Sequence, residues 1–202
     1  MKYLIKSHFK YYLGDKNIHC HVEALHAAPP GADLLTEKLV DEITSKTNCS
    51  AIIATTSRKI ADANRPVDKS NKEVVLEYPK IITEIFNHLE IKKNGQLVKP
   101  YLHLSLHGMK DRPEIDINVG TGDGEFCQSH IKNWLVKKLI DNHLNVVVDK
   151  IFTGADSLNE IKAGLLHNIF AIELSHNVRF NHFPQIVDIL SLIILEFNQT
   201  FS

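Results

Sequence analysis

The pattern of this chain predicts an α/β fold: a single three-layer domain with a mixed, mainly parallel sheet and helices on both faces. Three observations predict it. Short apolar or alternating segments suited to strands recur between longer stretches of helical periodicity. No repeat, low-complexity tract or linker divides the 202 residues, so one domain spanning 1–202 is the economical reading. The composition, 44% hydrophobic and 23% charged, is that of an ordinary soluble domain long enough for one well-buried core.

Residues 3–12 and 18–25 have strand character on either side of the turn signal Gly14-Asp15. In the second, Ile18, Cys20, Val22 and Ala24 alternate with His19, His21 and Glu23, a period of two. The breaker Pro29-Pro30-Gly31 precedes a helix expected over 33–47, with Leu35, Leu39, Val40 and Ile43 on one face and Asp33 or Thr36 as its cap. Residues 51–55 suit a buried strand. A helix over 74–89 turns Val75, Ile82, Ile85 and Phe86 inward, with Pro79 marking either a kink or its true start. Strands follow over 101–106 and 115–119, a helix over 126–142 and a strand over 146–148. A short helix over 156–164, a strand over 169–174 and a closing helix over 183–198 complete the series.

The formal net charge of -1 provides no field that would gather nucleic acid or an anionic membrane. The start mixes Lys2, Lys6, His8 and Lys10 among its apolar residues, unlike a secretion signal. The most apolar stretch, 186–197, is interrupted by Asp188 and is too short to span a bilayer. Cys20, Cys49 and Cys127 are odd in number and widely spaced, which suits a reducing compartment. A cytoplasmic enzyme or binding protein is expected, without nucleic-acid or membrane partners.

Active sites in such sheets collect at the carboxyl ends of strands. His26 follows the 18–25 strand, Asn64 and Arg65 lie in the loop after 51–55, His107-Gly108 follows 101–106, and Glu173 lies at the end of 169–174. Two imidazoles for a metal, a carboxylate to take a proton and a cation for an anionic substrate form the set a zinc hydrolase needs. Taken singly, each has a plainer reading as a surface or structural residue. Together they converge.

The ordered series resembles the N-formylglutamate amidohydrolases, relatives of the zinc carboxypeptidases with a phosphorylase/hydrolase-like fold. The segment Ser57-Arg58-Lys59-Ile60-Ala61-Asp62-Ala63-Asn64-Arg65-Pro66 is similar to that family's S-R-x-x-x-D-x-N-R-P, in which the arginine after asparagine holds a substrate carboxylate. Leu25-His26-Ala27-Ala28-Pro29 resembles its first metal-binding turn, and Leu104-Ser105-Leu106-His107-Gly108-Met109 its second. Ile151-Phe152-Thr153-Gly154 resembles P-F-x-G-G, and Ala171-Ile172-Glu173-Leu174-Ser175 the Q-L-E-I segment whose glutamate would be the general base. These pieces run in order from His26 to about Arg179, most of the chain.

Two departures stand out. No H-x-x-E follows His26; Asp33 is the preferred carboxylate ligand, one helical turn bringing it back, with Glu37 and Glu23 as weaker candidates and Glu23 read as solvated or salt-bridged. Leu104-Ser105 also replaces the aspartate expected before the second metal histidine, removing an anchor for it.

The resemblance implies Zn2+, or another divalent transition metal, held by His26 and His107, with Asp33 as the substitute for the family's carboxylate ligand. Glu173 would be the general base, Arg65 with Asn64 would hold the carboxylate of an N-acyl amino acid or short peptide, and Arg58, Arg112 or Arg179 would take a second carboxylate or the oxyanion. Competing readings are a metallopeptidase or γ-glutamyl-linkage hydrolase on this scaffold, a non-catalytic binding protein, and a Cys127 nucleophile. Gly120-Thr121-Gly122-Asp123-Gly124 lacks the lysine and spacing of a phosphate loop and reads as a site-edge loop or helix start.

Overall fold

The structure, a computed structural model, describes residues 1–154 and 161–201. In chain order its elements are β1 (Leu4–Ile5), β2 (Phe9–Tyr12), β3 (Cys20–Ala24), α1 (Thr36–Thr47), β4 (Ser50–Ala54), α2 (Lys72–His88), β5 (Lys92–Lys93) and β6 (Gln96–Leu97). There follow β7 (Tyr101–Gly108), β8 (Ile117–Gly120), α3 (Ser129–Asp141), β9 (Val146–Val148), β10 (His167–Leu174), α4 (His176–Asn181) and α5 (Phe183–Phe201).

Eight strands form one sheet in the order β1-β2-β4-β3-β7-β10-β8-β9. The central pairings β4-β3, β3-β7 and β7-β10 are parallel, as is β8-β9, whereas β1-β2, β2-β4 and β10-β8 are antiparallel. This is the mixed, mainly parallel sheet that the sequence predicts.

The two faces of the sheet differ because the strands alternate. On β7, Leu102, Leu104 and Leu106 enter one core with Leu39, Val40 and Ile43 of α1, Leu135 of α3 and Leu190 and Ile194 of α5. Each such fully buried side chain contributes about 1.5–3 kcal/mol. The opposite face carries Tyr101, His103, Ser105 and His107, all buried. Part of that face packs on α2 through Val74, Tyr78, Ile81 and Ile85. The rest is polar and lies under the site.

Several elements differ from expectation for local reasons. Residues 3–12 form two short antiparallel strands, closed where the Lys6 amide donates to the Phe9 carbonyl at 2.8 Å. Helix α1 starts at Thr36, after Leu35 at φ 71, without a side-chain cap. The carboxylate of Asp33 is engaged elsewhere. Pro79 lies inside α2. The hairpin β5-β6 was not anticipated, although its turn residues Asn94 (φ 50) and Gly95 (φ 82) form an Asn-Gly hairpin signal. Ser175 caps the start of α4 by accepting from the Val178 amide at 3.2 Å, and His182, at φ -118 and ψ 24, separates α4 from the closing helix α5. The helix expected over 156–164 falls mainly outside the described residues. Among the described residues no helix is long and apolar enough to cross a membrane.

Candidate active site

His26 follows β3, His107 is the last residue but one of β7, and both are buried. The segment from His26 to Asp33 doubles back, with the Asp33 amide donating to the His26 carbonyl at 2.8 Å. A loop, rather than the first turn of a helix, therefore returns Asp33 to His26. Its Oδ2 accepts from the Gly108 amide at 3.1 Å. Nδ1 of His26 and Nδ1 of His107 lie 3.2 Å apart, and Asp33 Oδ2 is 3.4 Å from the first and 3.6 Å from the second. Donor atoms bound at about 2.0–2.1 Å to a tetrahedral ion stand about 3.3–3.4 Å from one another. Two imidazoles and one carboxylate at this spacing fit a zinc-type cation.

The outward ring nitrogens are also engaged. Nε2 of His26 donates to Asp62 Oδ1 at 3.0 Å, and Nε2 of His107 faces the Ser105 hydroxyl at 3.0 Å. Such partners fix the tautomer in which Nδ1 keeps its lone pair, the one an ion would use. Asp62 was not singled out from the sequence as a site residue, although it stands in the Ser57–Pro66 motif. The anchor missing before His107 is replaced by the Ser105 hydroxyl. Burial alone would lower the His26 pKa, but its bonds to Asp33 and Asp62 raise it overall. Burial would raise Asp33 and Asp62; the neighbouring imidazoles and backbone amides instead hold both carboxyls low.

The three groups open into a pocket of about 230 Å³, at the small end for ligand sites, lined also by Arg58, Asn64, Arg65, Phe152 and Glu173. Register sets Glu173 beside His107 on one side and Asn118 on the other. Burial, foremost, and the Asp33 charge push the Glu173 carboxyl up, against the pull of His107. A carboxyl raised in this way suits proton transfer near neutrality. Asn118, fully buried and absent from the expected set, accepts from the Ile151 amide at 3.0 Å and donates to the Phe152 carbonyl at 2.8 Å. It thereby holds the strip carrying Phe152 and Gly154 against the pocket. Gly120 is required beneath that strip, because a Cβ there would stand 2.8 Å from the Gly154 amide nitrogen.

The arginines separate by position. Arg58 reaches into the cluster, donating to His26 Nδ1 at 3.0 Å and approaching Asp33 Oδ1 at 3.4 Å. Arg65 stands at the mouth, 70% exposed, 3.7 Å from Asp62 Oδ2. Arg112 does not reach the pocket: it is exposed in a turn bridged to Ile115. Arg179 is buried, and its three guanidinium nitrogens donate to the carbonyls of Leu174, Leu34 and Met109, which makes it structural.

The other carboxylate candidates lie elsewhere. Glu37 pairs with Lys10 at the surface at 2.6 Å. Glu23 is fully buried rather than solvated, 3.0 Å from His103. Burial pushes the Cys127 thiol up to about 11, which is unhelpful for a nucleophile. The amides of Thr121, Gly122, Gly124, Glu125 and Phe126 all donate within the protein, so the Gly120–124 segment has none of these to offer a phosphate.

No family model and no curated protein sequence matches the chain. Solved structures do. An N-formylglutamate amidohydrolase from Ralstonia eutropha JMP134 superposes with TM-score 0.72 at 16% identity, over 96% of this chain and 98% of that one. A bacteriophage poly-gamma-glutamate hydrolase gives TM-score 0.58 at 16% identity, over 96% and 91%. A succinylglutamate desuccinylase from Vibrio parahaemolyticus gives 0.57 at 14%, over 94% and 71%. The fold is that of the zinc carboxypeptidase-like hydrolases, as the ordered motifs led one to expect.

Proposed function

We propose that this chain is a metal-dependent hydrolase that cleaves the amide bond of a small N-acyl amino acid, of which N-formyl-L-glutamate is the model substrate. The observation that carries this reading is the convergence of His26 Nδ1, His107 Nδ1 and Asp33 Oδ2 at the edge lengths of a tetrahedral site, with Glu173 lining the same pocket. The hydrolase structures that share the fold support the reaction class.

A zinc ion held by these three groups would supply a Lewis-acid centre that acidifies water and polarises a carbonyl. The protein's own groups carry out the remaining steps. Glu173 takes the proton of the attacking water as its oxygen bonds to the acyl carbon. When the carbon–nitrogen bond breaks, Glu173 returns that proton to the leaving nitrogen. Arg65, with Asn64, receives the carboxylate of the amino-acid part in a forked pair of charge-assisted hydrogen bonds. Arg58, already against the cluster, offsets charge developing on the acyl oxygen.

The test is metal content by mass spectrometry together with hydrolysis of a panel of N-formyl, N-acetyl, N-succinyl and γ-glutamyl amino acids. One zinc-class ion per site and turnover that chelation abolishes are expected. A zinc-loaded protein that cleaves none of the panel would overturn the reading in favour of a binding protein.

A further inference from the structure

The pocket lining divides by chemistry. His26, Asp33, His107, Gly108 and Arg58 make up the cluster, Glu173 lies beside it, and Asn64 leads into Arg65 at the mouth. With the acyl group at the cluster and the carboxylate at Arg65, the substrate's side chain is left to the rest of the wall. That remainder is Pro66, Phe152, Gly154 and Ala171. None of the four carries a charge or a polar side chain.

The sheet and its neighbouring strip fix this wall in place. Ala171 is set in register between Ser105 on β7 and Gly120 on β8, so the floor beneath it is built from small residues. Asn118 ties down the strip above through the Ile151 amide and the Phe152 carbonyl. On that anchored backbone the Phe152 ring joins neither hydrophobic core and is left 44% exposed where it lines the pocket. Aromatic and aliphatic walls of this kind accept apolar ligand groups.

Charge points the same way. A divalent ion with Arg58 and Arg65 would bring four positive charges, and Asp33, Asp62 and Glu173 take up three of them. One substrate carboxylate at Arg65 closes the balance. Arg58 stays with the cluster, 3.4 Å from Asp33 Oδ1. Among the described residues no other lysine or arginine lines the pocket, and residues 155–160 contain neither type. The second carboxylate of a glutamate side chain would therefore lie against the uncharged wall, and a carboxylate stripped of water without a partner is costly.

We propose that the amino-acid part of the substrate has an uncharged, apolar side chain seated against Phe152, Ala171 and Pro66, and that Phe152 is a specificity-determining residue for it. The proposal rests on reading this pocket as the hydrolase site, with the α-carboxylate at Arg65. An apolar side chain placed on the exposed Phe152 ring removes water from both surfaces.

The test compares N-acyl derivatives of L-methionine, L-glutamine and L-glutamate, three unbranched side chains of similar length, each with the acyl group that the enzyme turns over fastest. Two readouts are taken: kcat/KM for the zinc-loaded enzyme, and calorimetric binding to Glu173→Gln. Methionine should exceed glutamate by about 10–100-fold in kcat/KM and bind more tightly, with glutamine between them. Phe152→Lys places a cation on the wall and should raise kcat/KM for the glutamate derivative by about tenfold. Phe152→Leu should keep the wild-type order. A wild type that cleaves the glutamate derivative as well as the methionine one, or a ratio that Phe152→Lys leaves unchanged, would overturn the proposal while leaving the hydrolase reading in place. No turnover of any of the three would overturn both.

Discussion

Nε2 of His26 donates to Asp62 at 3.0 Å while its Nδ1 faces Nδ1 of His107 at 3.2 Å. The bond to Asp62 thus decides which nitrogen of His26 is left for an ion. Asp62→Asn keeps the shape but exchanges a full acceptor charge for an amide. Zinc affinity should fall by about 10–100-fold with little change in melting temperature. A chelator-competition titration checks it, and an unaltered dissociation constant would remove Asp62 from the site.

Glu173→Gln preserves the size of the side chain but removes the proton acceptor. The expected outcome is a fall in kcat of about 10²–10⁴-fold, with zinc content and substrate affinity close to wild type. Steady-state kinetics with calorimetric binding on the same protein make the distinction. Full activity in this variant would show that another group takes the proton.

Arg65 is largely exposed at the pocket mouth, so water screens it and the loss should be moderate. Arg65→Ala should raise KM for substrates with a free carboxylate by about tenfold. Amidated analogues of the same substrates should be little affected. Equal losses on both would mean that Arg65 does not meet the carboxylate.

Burial, foremost, pushes His21 down to about 4 and His167 well below the ordinary range. The unfolded chain therefore takes up protons below its ordinary value of about 6.5 while the folded chain refuses them down to about 4. Stability should be fully present above this window and be lost as pH falls through it, by about 3 kcal/mol for His21 alone. Urea midpoints of protein refolded without metal, measured from pH 7 to pH 4, report this directly. A flat profile across the window would mean that these imidazoles are charged in the fold.

Much of the architecture was legible in the chain. Apolar runs such as Ala51–Ile53 and the period-two pattern of Tyr101–His107 depend only on which neighbours a strand faces, and the central elements appeared within a few residues of expectation. The alternation at Ile18–Ala24 was also readable, and of the two readings of Glu23, solvated or salt-bridged, the structure removes the solvated one and sets it beside His103 and His21. A solvated face is the usual outcome for Glu23, and only the cover provided by Tyr78 of α2 makes it a buried one. Asp62 and Asn118 carry ordinary local signals, and their roles come from residues 36 and 33 positions away.

The sequence by itself determined the α/β class, the strand ends that carry chemistry, and the order of the residues that gather there. Periodicity and breaker residues act locally, so a linear reading captures them. Only the tertiary structure decided that Asp33 joins the two imidazoles from a loop, that Arg58 enters the cluster while Arg112 stays outside, and that Ser105 stands behind His107. Each of these depends on the distance between side chains on different elements. Sheet order and loop closure set those distances, and neither is encoded at any single position.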